Sequence, residues 1–195
     1  MADVKVSQKA KALALKADKD PALVQLILDE SNEVLRVRKG VIIVEHKQGY
    51  VHANAGIDRS NLQHNNDEQV LLLPKDCDAS AKRLSEQLSQ AAGTAIAVII
   101  NDSAGRAWRN GTMGMTVGSY GIDAVQDLIG QKDRVGRTME VSQVAVADEL
   151  SAAASFVMGQ GNEGIAAVII RNSHYPAKTV GSKALIRDKA MDLFR

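Results

Sequence analysis

The chain has 195 residues, a formal net charge of +1, a single cysteine and only 3% aromatic residues. The balanced charge gives no general attraction to nucleic acid or to an anionic membrane, one cysteine excludes an intramolecular disulfide, and scarce aromatic residues argue against RNA recognition by base stacking. No apolar run approaches the roughly 20 residues of a membrane span, and the polar amino terminus has no signal-peptide pattern. We therefore expect a cytoplasmic protein that binds neither nucleic acid nor a membrane, with residues 1–195 forming a single region.

Hydrophobic periodicity and turn residues predict a mixture of helices and short strands. Ser7 lies where a helix cap is expected, Asp20-Pro21 starts a second helix, and Gly93 is a typical helix stop. The predicted elements, in chain order, are a helix over 7–17, a helix over 20–33, a strand over 41–44, a returning strand over 50–51, a polar loop over 61–69, a helix over 80–92, a strand over 96–100, a helix over 144–158, a strand over 167–170 and a helix over 183–194. Because strands and helices mix without strict βαβ alternation, the predicted fold class is α+β.

The first candidate site is the block of residues 51–61, which is rich in small and oxygen-bearing side chains. Asn54, Asp58, Ser60 and Asn61 supply carboxylate, amide and hydroxyl oxygens within eight positions, and the small residues between them keep the backbone open. Divalent cations and the phosphates that accompany them favour this combination. The alternative is an Asx turn, in which aspartate and serine side chains bond the local backbone.

A second candidate block follows the predicted strand over 96–100. Asp102 and Ser103 come at the end of that strand, where ligand-facing residues often lie, and residues 101–121 are predicted to form an active-site loop. Arg106, Trp108 and Arg109 form a compact cationic group in this loop, and arginine matches phosphate or carboxylate bidentately. The alternatives are an incidental polar loop and a surface cluster of salt bridges.

A third block, residues 158–164, is a glycine-rich turn after the helix predicted over 144–158. Such a turn can lie against a phosphate, but this one lacks the lysine of a P-loop, and a helix C-cap is the simpler interpretation. Asp148 and Glu149 are expected on a solvated helix face. The four histidines show no zinc-type spacing.

Taken in order, these blocks resemble the gamma-glutamyl ligase family of coenzyme F-420 biosynthesis. The two most specific matches are Ala-Asn-Ala-Gly-x-Asp-x-Ser-Asn over residues 53–61 and Asp-x-x-Gly-Arg-x-Trp-Arg over residues 102–109. The resemblance covers nearly all of residues 5–172. Relative to the family, the chain is N-terminally short, which leaves two expectations open: the sequence is a fragment or has a misassigned start, or the protein lacks part of the GTP site.

The resemblance implies a GTP-dependent amide ligase that adds L-glutamate to the deazaflavin precursor of the coenzyme through an acyl phosphate. It also implies two divalent ions, manganese or magnesium, a response to potassium, and an intertwined homodimer. Two alternatives stay open: a degenerate homologue that binds metal or nucleotide without ligation, and an amide ligase for another carboxylate substrate.

The resemblance also assigns roles to individual residues. Asp58 and Asp102 are similar to ligands of one metal ion, and Ser103 and Gln160 to ligands of the other. Arg106 joins the two aspartates as a predicted catalytic residue. The predicted nucleotide contacts are Asn61, Met158, Gly159, Gln160, Gly161, Asn162, Glu163, Gly164 and Ile165.

Overall fold

A computed structural model describes residues 3–62, 69–173 and 180–193 of the chain. Helices and small sheets alternate along these ranges, which confirms the α+β class. The helices and strands are α1 (Gln8–Ala17), α2 (Pro21–Asp29), β1 (Ser31–Arg38), β2 (Val41–His46), β3 (Val51–Ala53), α3 (Cys77–Ala92), β4 (Val98–Ala104), β5 (Met113–Tyr120), β6 (Gln126–Asp127), β7 (Gln143–Val144) and α4 (Val146–Met158). Of the predicted loop over 61–69, residues 63–68 lie outside the described ranges.

The chain divides into two compact units. The first unit comprises Met1–Lys75, Ala104–Gly111 and Asp192–Arg195, and the second comprises Asp76–Ser103 and Thr112–Met191. That residues 1–195 act as one region stays a prediction. In the described ranges, no helix combines the length and the apolar character needed to cross a bilayer.

Both helices of the first unit begin where the sequence predicts. The Ser7 hydroxyl accepts the N–H of Ala10 at 3.1 Å, and the Asp20 carboxylate accepts the N–H groups of Ala22 and Leu23 at 2.7 and 3.0 Å. These bonds satisfy donors that a helix start leaves without partners. The extension of the second helix to residue 33 is wrong, because α2 ends at Asp29 and the chain enters strand β1.

The first unit is built on an antiparallel sheet in the order β1-β2-β3. Val34, which fits the helical spacing of the preceding residues, instead pairs with Val44 across the sheet. The core beneath this sheet includes the fully buried side chains of Val24, Ile27, Ile42 and Val44. Pairing with a buried neighbouring strand therefore overrides the helical pattern of β1.

His46 lies at the buried end of β2 and is 2% exposed. Its ring stacks on Tyr50 with centroids 4.9 Å apart, and its Nε2 lies 3.8 Å from a Glu30 carboxylate oxygen. Burial, aided by repulsion from His52 and Lys47, lowers the pKa of His46 to about 4. The imidazole is therefore neutral at physiological pH, and the contact with Glu30 is not an ion pair there.

In the second unit, β5 overturns part of the predicted active-site loop over 101–121. Residues 113–120 form a strand whose glycines are packing residues. A Cβ on Gly114 would lie 2.3 Å from the carbonyl oxygen of Ser151 in α4, and one on Gly118 would lie 2.5 Å from the backbone of Cys77 in α3. The two helices thus approach β5 more closely than any residue with a side chain allows.

The α3 helix stops at Gly93 as predicted, but it starts at Cys77, capped by Asp76, three residues before the predicted start. The α4 helix over Val146–Met158 confirms the helix predicted over 144–158 within two residues. Two other predictions are wrong. Residues 167–170 form no strand, and residues 183–193 form short 3-10 turns instead of a helix; the last predicted helical residue, Phe194, lies outside the described ranges.

Asp78 connects three segments of the second unit. One carboxylate oxygen, Oδ1, accepts the N–H of Ser119 in β5 at 2.8 Å and the N–H of Ser182 at 2.9 Å. The Ser182 hydroxyl in turn donates to the carbonyl of Val117 at 3.2 Å. This carboxylate therefore satisfies two backbone donors and fixes the segment around residue 182 to the strand.

Candidate functional site

Asp58 belongs to the first unit and is held at both its backbone and its side chain. Its N–H and carbonyl pair with those of Leu71 at 3.0 and 2.8 Å, and its Oδ1 accepts the Ser60 N–H at 2.8 Å and the Ser60 hydroxyl. Partial burial raises the pKa of the Asp58 carboxyl, but the hydrogen bonds from Ser60 and from the N–H of Arg59 lower it below its usual range. The predicted Asx turn is thus present, and it presents an exposed, ionised carboxylate.

The rest of the 51–61 block is partly structural. Ala55 is 1% exposed and packs in the core, so this small residue does not open the backbone beside a ligand. The Asn54 side chain accepts the N–H of Ile42 at 3.1 Å, which commits its carbonyl to the sheet. Asn61, by contrast, is exposed, with a φ of +55°. Positive φ at a non-glycine residue is a strained conformation that functional sites often hold.

Asp102 and Ser103 lie near the end of β4, in the second unit. The Asp102 Oδ1 accepts the N–H of Ser103 at 2.7 Å. Asp102 is half-buried, whereas Ser103 is exposed. Because β4 and β5 pair and only eight residues separate them, too few for a parallel crossover, the pair is antiparallel. The end of β4 and the start of β5 therefore lie at the same edge of the sheet.

Gln160 is brought to that edge by hydrogen bonds to both atoms of its amide. Its Oε1 accepts the hydroxyl of Thr112, the residue before β5, and its Nε2 donates to the Ser155 hydroxyl at 3.0 Å. Ser155 belongs to α4, and Gly159 ends that helix with a φ of +75°. The turn that follows α4 and the end of the β4–β5 sheet thus hold the Gln160 amide in one orientation.

The candidate ligands suit a hard divalent ion in their chemistry. Asp58 and Asp102 offer carboxylates, Ser103 a hydroxyl and Gln160 an amide oxygen, which are the ligand types that magnesium and manganese prefer. Asp102, Ser103 and Gln160 belong to the second unit, whereas Asp58 and Asn61 belong to the first. In the part of the chain that the structure describes, no three His, Cys, Asp or Glu side chains lie close enough together to hold a metal ion.

The glycine-rich turn after α4 confirms the C-cap interpretation and adds a carboxylate. Glu163 accepts the N–H of Gly161 at 2.8 Å and lies over Gly159, where a Cβ would meet it at 2.1 Å. Hydrogen bonds from its own N–H and from that of Gly161 hold the pKa of the Glu163 carboxyl below its usual range. A phosphate approaching this N–H has to displace the carboxylate.

Sequence reasoning missed several residues that organise this region. Asp148, expected on a solvated face, accepts the N–H of Thr116 in β5 at 2.9 Å. The Thr116 hydroxyl bonds that of Ser151 at 2.7 Å, in a buried contact between β5 and α4. Thr112 and Ser155 orient Gln160. These partners are separated by up to 48 positions in the chain, and no local pattern marks such pairs.

Comparison with known proteins identifies the family. A family profile described as F420-0:Gamma-glutamyl ligase matches residues 1–172. The chain belongs to this family. The match confirms the resemblance carried by residues 53–61 and 102–109.

Three curated relatives of the F420-0:Gamma-glutamyl ligase family illustrate the similarity, each named coenzyme F420:L-glutamate ligase. That of Methanothermobacter thermautotrophicus is 45% identical over 197 residues, covering 99% of this chain and 76% of the relative. That of Methanocaldococcus jannaschii is 43% identical over 189 residues, covering 97% and 74%. That of Methanopyrus kandleri is 38% identical over 200 residues, covering 99% and 77%.

Proposed function

We propose that this protein is a GTP-dependent ligase that joins L-glutamate to the deazaflavin precursor of coenzyme F-420. Family membership and the names of the relatives support the glutamate ligase activity. The observation that carries the proposal for this chain is the arrangement at the end of the β4–β5 sheet. There Asp102 and Ser103 share an edge with Thr112, which bonds the oriented Gln160 amide. Asp58 supplies a further carboxylate, whose pKa lies below its usual range.

The proposed reaction has two steps. A carboxylate oxygen of the precursor attacks the terminal phosphorus of GTP, the bond from that phosphorus to the β-phosphate oxygen breaks, and GDP leaves. The amine of glutamate then attacks the carbonyl carbon of the acyl phosphate, loses a proton, and expels phosphate as the amide forms. The first step develops negative charge on the transferred phosphoryl group, which fixed cations stabilise. Arg106 is the side chain proposed for that role.

The proposed metal ligands are Asp58, Asp102, Ser103 and Gln160, with magnesium or manganese as the ion and potassium as a further activator. Bound divalent ions would neutralise triphosphate charge and polarise the terminal phosphoryl group. Asn61 and the turn over 158–165 are proposed to contact the nucleotide. In that turn, Glu163 has to release the Gly161 N–H before a phosphate can accept it.

We also propose that the protein is a homodimer. Several large apolar side chains of the second unit are exposed, namely Leu84, Leu88, Phe156, Val157 and Ile169. Exposed apolar surface of this kind favours association with another chain, and a second copy is the commonest partner. Light scattering that gives a monomer mass at micromolar concentration would contradict this part of the proposal.

The test of the activity is incubation of the protein with precursor, GTP, glutamate and a manganese salt, followed by mass spectrometry. We expect a product heavier than the precursor by one glutamyl residue, together with GDP. Replacing GTP by ATP, or adding a chelator, should remove the product. No product from the complete reaction would refute the ligase assignment. If the same protein preparation then bound GTP only in the presence of the metal, the degenerate homologue would be favoured.

A further inference from the structure

The loop over residues 105–111, here called the Trp108 loop, joins β4 to β5 and exposes an unusual side chain. Trp108 is 88% exposed, although tryptophan is among the residues that are most covered on average in folded proteins. It is the only tryptophan in the chain. Its φ of +64° places a bulky residue in the left-handed region, where bulky side chains are rare. The loop thus combines an exposed indole with a backbone conformation that is strained for a bulky residue.

Two arginines, Arg106 and Arg109, flank this indole in the sequence. Arg106 donates through Nη1 to the carbonyl of Gly111 at 3.1 Å, which closes the loop. Over residues 3–62, 69–173 and 180–193, neither Arg106 nor Arg109 forms an ion pair. The interpretation of this group as a surface cluster of salt bridges is therefore wrong for the described part of the chain.

An exposed indole next to an unpaired guanidinium has a definite binding chemistry. The indole face stacks on planar heteroaromatic rings, and the guanidinium fork binds carboxylate or phosphate oxygens bidentately. A ligand that satisfies both carries a planar fused ring and an anionic chain. In the sequence, one residue separates the loop from Ser103, which with Asp102 is a proposed reaction-site residue.

We propose that the Trp108 loop binds the acceptor substrate, with the indole stacked on its planar deazaflavin ring and Arg109 paired with an anionic group of its chain. This inference rests on the proposed function. GTP shares this chemistry with the acceptor, because it also carries a planar ring, its guanine, and an anionic chain, its triphosphate. The acceptor is the better match because Arg106, in this loop, is proposed to act on the phosphoryl group that passes to the acceptor, whereas the other proposed nucleotide contacts, Asn61 and the turn over 158–165, lie elsewhere in the sequence.

The single tryptophan provides a direct readout that does not depend on turnover. Indole fluorescence of the full chain is recorded during titration with the precursor, with and without a saturating non-hydrolysable GTP analogue and manganese. The precursor should quench the emission, and the GTP analogue alone should leave it unchanged. Quenching by the GTP analogue alone would overturn the proposal, because guanine would then be the ring on Trp108.

Calorimetry on the same samples separates this inference from the proposed function. Precursor binding without any change in Trp108 emission would overturn the loop assignment and leave the ligase activity intact. No precursor binding and no product in the complete reaction would overturn both.

Variants test which interaction of the loop matters. Trp108→Ala should raise the KM for the precursor at least about fivefold, the lower end of what stacking on an aromatic side chain contributes. Trp108→Phe should bring the KM for the precursor most of the way back to the wild-type value. In both variants the KM for GTP and the kcat should change less than about twofold. Leu15→Ala, at a residue that is also 87% exposed, is the matched control and should have no effect.

The cationic half of the proposal has its own control pair. Arg109→Gln should raise the KM for the precursor, whereas Arg134→Gln, at an exposed arginine in another loop, should not. A Trp108→Ala variant whose precursor KM stays at the wild-type value would overturn the stacking role, and an unchanged KM in Arg109→Gln would overturn the pairing role.

Discussion

Replacing Gly114 by alanine should separate β5 from α4. The added Cβ would lie 2.3 Å from the Ser151 carbonyl oxygen and 2.5 Å from the Ser155 Cβ, and neither atom belongs to a flexible side chain that can rotate away. Strand and helix must part by about 1 Å to reach ordinary contact at 3.4 Å. Overpacking of this kind costs about 1–3 kcal/mol, and straining the buried bond between Thr116 and Ser151 adds about 1 kcal/mol.

A total of about 2–4 kcal/mol corresponds to a fall in Tm of roughly 4–16 °C for a chain of this size. Differential scanning calorimetry measures it directly. Gly105→Ala is the control, because a Cβ there meets no atom within 4 Å and the φ is ordinary; its stability should change by less than about 0.5 kcal/mol. If Gly114→Ala melts with the wild type, the close approach of β5 to α4 is not as described.

Three further predictions follow from other side chains. Asp58→Ala and Asp102→Ala should each lower turnover more than about tenfold, or about 1.4 kcal/mol in barrier, with little loss of stability; near-normal turnover with Asp58→Ala would leave that residue a structural Asx turn. The pKa of His46 is about 4 in the folded protein and about 6.5 in the unfolded chain, so the unfolded chain takes up this proton at a higher pH. As the pH falls from about 6.5 to about 4, the unfolding free energy should therefore drop by at most about 1.4 kcal/mol per pH unit. The unfolding free energy is measured by urea denaturation at several pH values. A free energy that does not change with pH, or a pH dependence that is the same in His46→Gln as in the wild type, would contradict this prediction. Asp78→Ala removes the acceptor for the Ser119 N–H and should cost about 1–3 kcal/mol in chemical denaturation, whereas Asp78→Asn, which keeps an acceptor oxygen, should lose less.

The sequence predicted correctly those helix boundaries that depend on residues at the boundary itself. Ser7, the Asp20-Pro21 pair and Gly93 act within one turn of their own positions, as caps and stops do. The same reasoning failed where a distant partner decides. The apolar spacing of residues 20–34 fits a helix, but the register with β2 turns residues 31–38 into a strand.

Glycine was the most misleading residue type. Gly114 and Gly118 read as loop residues in the sequence, although each is required by a helix lying against β5. The apolar run over 167–170 was predicted to be a strand, yet it pairs with no strand in the described ranges, and Ile169 is 76% exposed.

In the candidate site, too, the sequence predicted some features and missed others. The oxygen-bearing side chains at positions 58, 102, 103 and 160 were found because their types and order match a family pattern. What orients them was not found, since Thr112 and Gln160 are 48 positions apart. The sequence also did not show that Arg109 forms no ion pair with the described residues, because that depends on which carboxylates fold nearby.

The hydrogen bonds of the Asp78 carboxylate have a consequence for the folding of this protein during its synthesis on the ribosome. Its two backbone partners, Ser119 and Ser182, lie 41 and 104 residues further along the chain, whereas the hairpins of β1, β2 and β3 close over a few residues. Long closures carry more entropy loss and form late. At about 5–20 residues per second, the ribosome needs roughly 3–13 s to travel from Ser119, near the end of β5, to Ser182. Throughout that interval the second unit is incomplete and its apolar strand β5 lacks part of its cover, so a chaperone that binds nascent apolar segments would meet this chain chiefly there.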